Sequence, residues 1–108
     1  MTREDITNII EQLLRKWDKL GYSPQAINNG NCEEFAMDIQ EIAKTGQVIW
    51  GEDYPELFKT NVDKWGHCFY RFRGYCFDSE TIKGVKNPDN LKYYLRSKKY
   101  FENHLTPI

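Results

Sequence analysis

The sequence predicts an α+β fold in which N-terminal helices pack on a small antiparallel β-sheet. Three observations carry that expectation. Ile6, Ile9, Ile10, Leu13, Leu14, Trp17 and Leu20 recur at helical spacing. Phe35, Ala36, Ile39 and Ala43 mark the face of a second helix. Two aromatic-rich runs, His67 to Arg73 and Tyr75 to Glu80, flank Gly74 and read as a β-hairpin with Arg73 and Gly74 at its tip. The helices are segregated from the strands along the chain, which is the α+β pattern.

The elements follow in order. Thr2 suits the N-cap of the first helix, with Asp5 three residues on completing a capping box, and Gly21 is placed to end it. Tyr22 to Asn31 is polar, carries Pro24 and Gly30, and reads as an ordered loop. The second helix starts at Asn31 or Cys32 and runs to about Thr45, with Glu33 and Glu34 in the first turn, where the helix dipole favours acids, and Gly46 as its stop. Gln47 to Trp50 is a strand candidate. In the ambiguous stretch Gly51 to Lys64, a helical turn fits near Pro55 to Lys59. Asn87-Pro88-Asp89-Asn90 is a turn, and Leu91 to Tyr100 forms a last helix with Leu91, Tyr94 and Leu95 inward.

With 108 residues and no repeat or linker, the chain is one domain, residues 1–108. A hydrophobic fraction of 40% with a net charge of −1 excludes a disordered chain and argues against a general polyanion binder. No apolar run approaches the roughly 18 residues of a spanning helix. Met1 to Lys16 is charged throughout and lacks a signal-peptide core. The expected location is the cytoplasm, with no membrane partner. Cys32, Cys68 and Cys76 are odd in number and form no CxxC pair, so reduced thiols are expected.

The chemistry centres on Cys32. A thiolate is the reactive form of cysteine, and a helix N-terminus or an imidazolium favours it. Cys32 falls at the predicted helix start after Asn28-Asn29-Gly30-Asn31, where its own backbone N–H is free to meet a developing oxyanion. A base must reach the sulfur and a third group must orient the base. A two-residue or four-residue hairpin tip centred on Arg73 and Gly74 pairs Phe69 with Asp78 and His67 with Glu80, putting His67, Phe69, Arg71, Cys76, Asp78 and Glu80 on one face. Asp78 is then the diagonal neighbour of His67, at roughly 7–8 Å by backbone and within side-chain reach. A three-residue tip would slip the register and turn Asp78 to the other face.

The segment Gly30-Asn31-Cys32-Glu33-Glu34-Phe35-Ala36 resembles the nucleophile motif of the papain-like and transglutaminase-like cysteine superfamily. His67 to Arg73 with Gly74-Tyr75-Cys76-Phe77-Asp78-Ser79-Glu80 resembles its His and Asp strands, and Thr81 to Val85 looks like small transglutaminase-like proteins of phages and bacteria. The resemblance covers about half the chain, mainly residues 28–46 and 66–86. It implies Cys32 as nucleophile, His67 as base and Asp78 as orienter. It also implies an acyl-transfer activity of peptidase, amidase or transglutaminase-like type on an amide or related acyl substrate. The expected partner is a protein or peptide substrate. The alternative is a non-catalytic binding or inhibitory module on the same scaffold, a phage protein acting on a host protein.

Gln25, Asn28, Asn29 and Asn31 are candidates to complete an oxyanion hole or position substrate, and Trp65 could wall the site. Each also has a structural role open to it, as loop polar groups bonding their own backbone or as a core or lid aromatic. Cys68 and Cys76 read as core thiols on opposite faces. Cys32, His67, Cys76 and Asp78 are acceptable zinc ligands by type, but they are dispersed singletons, so neither metal nor cofactor is expected. Lys92, Arg96, Lys98 and Lys99 among Tyr93, Tyr94, Tyr100 and Phe101 could stack on a single-stranded nucleic acid. A solvated helix face with core tyrosines is the preferred reading, and no nucleic-acid partner is expected.

Overall fold

The structure, a computed structural model, describes residues 1–96. It is α+β, with three N-terminal helices packed on one side of a three-stranded antiparallel sheet. Helix α1 (Arg3–Lys19) begins at the capping box read from the sequence: Thr2 Oγ1 accepts from the Asp5 N–H and Asp5 Oδ2 accepts from the Thr2 N–H. Ile6, Ile10, Leu13 and Trp17 form its buried stripe. Trp17 Nε1 donates to Asp38 Oδ2 at 3.3 Å, fixing α1 to the third helix.

The stretch expected to be a loop contains a helix, α2 (Pro24–Asn28). The Ser23 hydroxyl accepts from the Ala26 N–H, and Pro24 occupies the first helical position, where its preset φ and missing N–H cost nothing. Helix α3 (Cys32–Ala43) ends two residues before the expected Thr45 because Lys44 takes a left-handed conformation, φ 60°. Gly46 follows at φ 81°, with the Tyr70 ring packed where a side chain would stand and the Tyr70 hydroxyl donating to the Thr45 carbonyl.

Strands β1 (Gln47–Trp50), β2 (Cys68–Phe72) and β3 (Tyr75–Phe77) lie in that order across the sheet. The β2–β3 register pairs Tyr70 with Phe77, Arg71 with Cys76 and Phe72 with Tyr75. The tip is therefore the two-residue turn, with Arg73 at φ 50° and Gly74 at φ 80°, both positive as a twisted hairpin requires. The strands are shorter than the aromatic runs suggested. Asp78 Oδ1 accepts from the Glu80 and Thr81 N–H groups, which turns the chain out of the ladder, so Glu80 does not oppose His67. The chain returns at Val85, which bridges to Cys76.

Both faces of the sheet are covered. Cys68, Tyr70, Phe72 and Phe77 join the helices in one apolar cluster. Ile49, Phe69 and Cys76 pack on the other side with Phe58, Leu91 and Tyr94. Each such apolar side chain contributes about 1.5–3 kcal/mol on burial, enough in sum to fix a three-stranded sheet. The segment 51–64 holds two short 3-10 turns, Gly51–Asp53 and Pro55–Leu57. A further 3-10 turn, Pro88–Asn90, precedes helical residues 92–96. Leu91 and Tyr94 point inward, but Leu95 is 45% exposed, because the helix buries only the face that carries Leu91 and Tyr94. The remainder of the expected last helix, with Lys98, Lys99 and Tyr100, lies outside the described residues, as does Phe101. Among the described residues, no helix is long and apolar enough to cross a membrane.

Candidate active site

Cys32 is the first residue of α3. Its sulfur accepts from the Cys68 N–H at 3.4 Å, and the Glu33 N–H also points at it. First-turn N–H groups have no carbonyl partner within their own helix, and Asn31 at the N-cap makes no side-chain cap. The helix start therefore presents donors to the sulfur. The α3–β2 packing brings this end of the helix to the residue before β2, which is His67.

His67 is fully buried, and its Nε2 lies 3.0 Å from Asp78 Oδ2. An ionised carboxylate only accepts, so Nε2 carries the proton and Nδ1 is the nitrogen left for another partner. Nδ1 is buried and forms no hydrogen bond of regular geometry. The Cys32 thiol is close enough for it and the imidazole to shift each other's proton affinity. Asp78 is itself held by the Glu80 and Thr81 N–H groups at 2.9 and 2.8 Å on its other oxygen.

The electrostatics run against burial. Burial pushes the Cys32 thiol up, but the neighbouring His67 and the Cys68 N–H outweigh it and hold the thiol below its ordinary value. Burial disfavours the His67 cation, yet Asp78 and Cys32 raise its proton affinity above the usual histidine range. Burial likewise opposes the Asp78 anion, and the His67 hydrogen bond with the two N–H donors keeps its carboxyl below the usual carboxylate range. Each shift favours the charged form of its group. Cys68 has no such partner and Arg71 beside Cys76 does not offset burial, which pushes the two thiols up to about 12 and about 11.

The remaining sequence candidates are dispersed. Gln25 and Asn29 are exposed on and after α2. Asn31 Nδ2 donates to Glu34 Oε2 at 3.3 Å, a local contact at the helix start. Trp65 is 75% exposed and forms no wall; with Glu52, Val62, Asp63 and Lys64 it lines an open hollow of about 250 Å³. Asn28 is buried, but its Nδ2 is spent on Glu80 Oε1 at 2.9 Å. No group of three or more metal-ligating side chains gathers among the described residues.

Two contacts lay beyond sequence reasoning. Tyr93 stacks on the His67 ring, and Arg96 grips Glu80 with two hydrogen bonds at 2.6 and 2.9 Å. Their only sequence signal was a tyrosine and an arginine three apart on a predicted helix; the docking that brings them to the site is long-range. No family model, no curated protein and no solved structure matches this chain.

Proposed function

We infer that this chain is a cysteine-nucleophile acyl-transfer enzyme acting through Cys32, His67 and Asp78 on an amide or related acyl group. The observation that carries the reading is one buried ring whose Nε2 is held by Asp78 while Nδ1 has no hydrogen-bond partner, with a thiol at a helix start whose proton affinity the ring lowers. The Cys32 thiolate adds to the acyl carbon, and the oxyanion that forms meets the Cys32 N–H. The His67 imidazolium gives its Nδ1 proton to the leaving amine, the C–N bond breaks, and a thioester remains. Neutral His67 then takes a proton from water or an amine as that group adds to the thioester, and the thiolate leaves. Asp78 holds the tautomer throughout.

The likeness of residues 28–46 and 66–86 to the papain-like and transglutaminase-like superfamily, including its small phage and bacterial members, supports the same chemistry. A protein or peptide substrate met in the cytoplasm fits a chain with reduced thiols. A non-catalytic binding or inhibitory module is favoured by one observation, the bare indole of Trp65 two residues before His67.

The test is iodoacetamide labelling mapped by mass spectrometry near neutral pH. Cys32 labels first, and His67→Ala slows it. Cys68 and Cys76, buried and pushed up to about 12 and about 11, label only on unfolding. Equal labelling of all three thiols, or a Cys32 rate indifferent to His67, refutes the activated pair.

A further inference from the structure

The acyl-transfer chemistry makes no use of the residue that covers its base. Tyr93 lies face to face with the His67 imidazole, with ring centroids 3.9 Å apart and planes 11° apart. Tyr94 meets the same ring edge-on at 5.4 Å, and Phe69 lies tilted at 6.3 Å. Tyr94 and Phe69 are fully buried core residues, whereas Tyr93 is half-buried, with one face on the imidazole. The segment that carries it is stitched to the Asp78 turn on both sides of Tyr93. On one side the Lys92 N–H donates to Thr81 Oγ1 at 3.0 Å. On the other the Arg96 guanidinium grips the Glu80 carboxylate, which also accepts from Asn28 Nδ2, while the Glu80 N–H donates to Asp78 Oδ1. Asp78 and the ring that faces its histidine are thus mounted on one hydrogen-bonded unit.

We propose that Tyr93 is a positioning residue for His67, its ring clamping the imidazole in the plane that keeps Nε2 on Asp78 and Nδ1 toward Cys32. Two physical effects act together. The flat contact at 3.9 Å blocks rotation of the imidazole out of its plane. The electron-rich face of the phenol also favours the imidazolium over the neutral ring, which strengthens the pairing with the Cys32 thiolate. Both effects belong to the ring and not to the hydroxyl. The proposal rests on the Cys32–His67 reading given above.

The experiment measures Cys32 alkylation by iodoacetamide from pH 5 to 9 in the wild-type protein and in His67→Ala, Tyr93→Leu, Tyr93→Phe and Tyr93→Trp. It is paired with proton NMR of the histidine ring resonances. With two histidines in the chain, the spectrum is simple to assign. In the wild-type protein the His67 ring protons move upfield under the Tyr93 ring current. Tyr93→Leu lowers the rate at pH 6.5 by about tenfold, toward that of His67→Ala, and abolishes the upfield displacement. Tyr93→Phe and Tyr93→Trp keep both within about twofold. A Tyr93→Leu protein that alkylates like the wild type, while His67→Ala does not, overturns the role of Tyr93 and leaves the Cys–His pair standing. A wild-type rate indifferent to His67→Ala overturns the underlying reading instead. A Tyr93→Phe loss equal to that of Tyr93→Leu overturns the ring-based account. The wild-type spectrum needs no variant to fold, and an undisplaced His67 resonance there overturns the stack itself.

Discussion

Replacing Asp78 by Asn separates what this carboxylate does for the chemistry from what it does for the fold. Asp78 is 3% exposed and accepts three hydrogen bonds, from His67 Nε2, the Glu80 N–H and the Thr81 N–H. Asparagine keeps the shape, and its carbonyl still accepts from Glu80 and Thr81. Its amide nitrogen then faces His67 Nε2 and can only donate, so the neutral ring moves its proton to Nδ1, the nitrogen that must take a proton from the thiol. Charge-assisted bonds are about twice as strong as neutral ones, so the stability cost is about 1–2 kcal/mol. Turnover falls far more, by about 10⁴-fold for the equivalent change in a triad. Asp78→Ala, by contrast, leaves the imidazole and two N–H groups unpaired and costs about 3–5 kcal/mol. The pH dependence of stability supplies a second readout. The folded pKa of Asp78 is depressed, so its contribution is present above about pH 4 and is lost as pH falls through the folded value. The folded pKa of His67 is raised, so its contribution is present below about pH 6.5 and is lost as pH rises through the folded value. The pair stabilises most between those limits, and Asp78→Asn flattens that maximum. Urea unfolding from pH 3 to 8 and Cys32 alkylation at pH 6.5 measure the two effects. An Asn variant that alkylates at the wild-type rate, or whose stability keeps the wild-type pH profile, refutes the orienting role.

Two further changes test the frame around the site. Gly46→Ala puts a methyl group into the Tyr70 ring at a position of φ 81°, and lowers stability by about 2–4 kcal/mol in thermal unfolding. Thr2→Ala removes the Oγ1 acceptor of the α1 capping box and costs about 1 kcal/mol, with Cys32 labelling unchanged because neither Thr2 nor Asp5 hydrogen-bonds to a site residue.

Much of the fold was legible because its signals are local. The capping box at Thr2 and Asp5, the strand Gln47–Trp50 and the two-residue tip at Arg73-Gly74 are each written within a few residues, and the tip alone fixed the register that sets Asp78 beside His67. The α2 helix was missed because Pro24 and the Asn pair read as loop chemistry, while the Ser23-Pro24 start that overrides them is equally local. The departure of Glu80 from the hairpin was not legible, since alternation predicts a continuing strand and the Asp78 side chain ends it by taking two backbone N–H groups. Leu95 was placed inward because an apolar residue beside Tyr94 suits a buried face, and only the docked helix says which face that is. Of the site, the helix start at Cys32 and the nearness of His67 to Asp78 followed from spacing, whereas the exposure of Gln25 and Asn29 and the stacking of Tyr93 depend on where distant segments settle.

The three cysteines of this chain form an internal comparison that isolates what burial does and what partners do. All are buried and all are free thiols. Cys76 sits on the sheet face that packs against Phe69 and Leu91, and Cys68 faces the helices; for both, burial dominates and the thiol is pushed up. Burial is also the largest influence on Cys32, and it acts in the same direction. The opposite outcome therefore comes from what surrounds the sulfur: the helix start, the Cys68 N–H and the imidazole. These supports are themselves conditional. Asp78 raises the proton affinity of the imidazole, and the Glu80 and Thr81 N–H groups with His67 hold the Asp78 carboxyl below the usual carboxylate range against its own burial. An ion pair in a low-dielectric interior is costly when broken at any member. On the proposed acyl-transfer reading the Asp78 turn supports the Cys32 thiolate through His67, and the contacts of Thr81, Glu80 and Arg96 brace that turn.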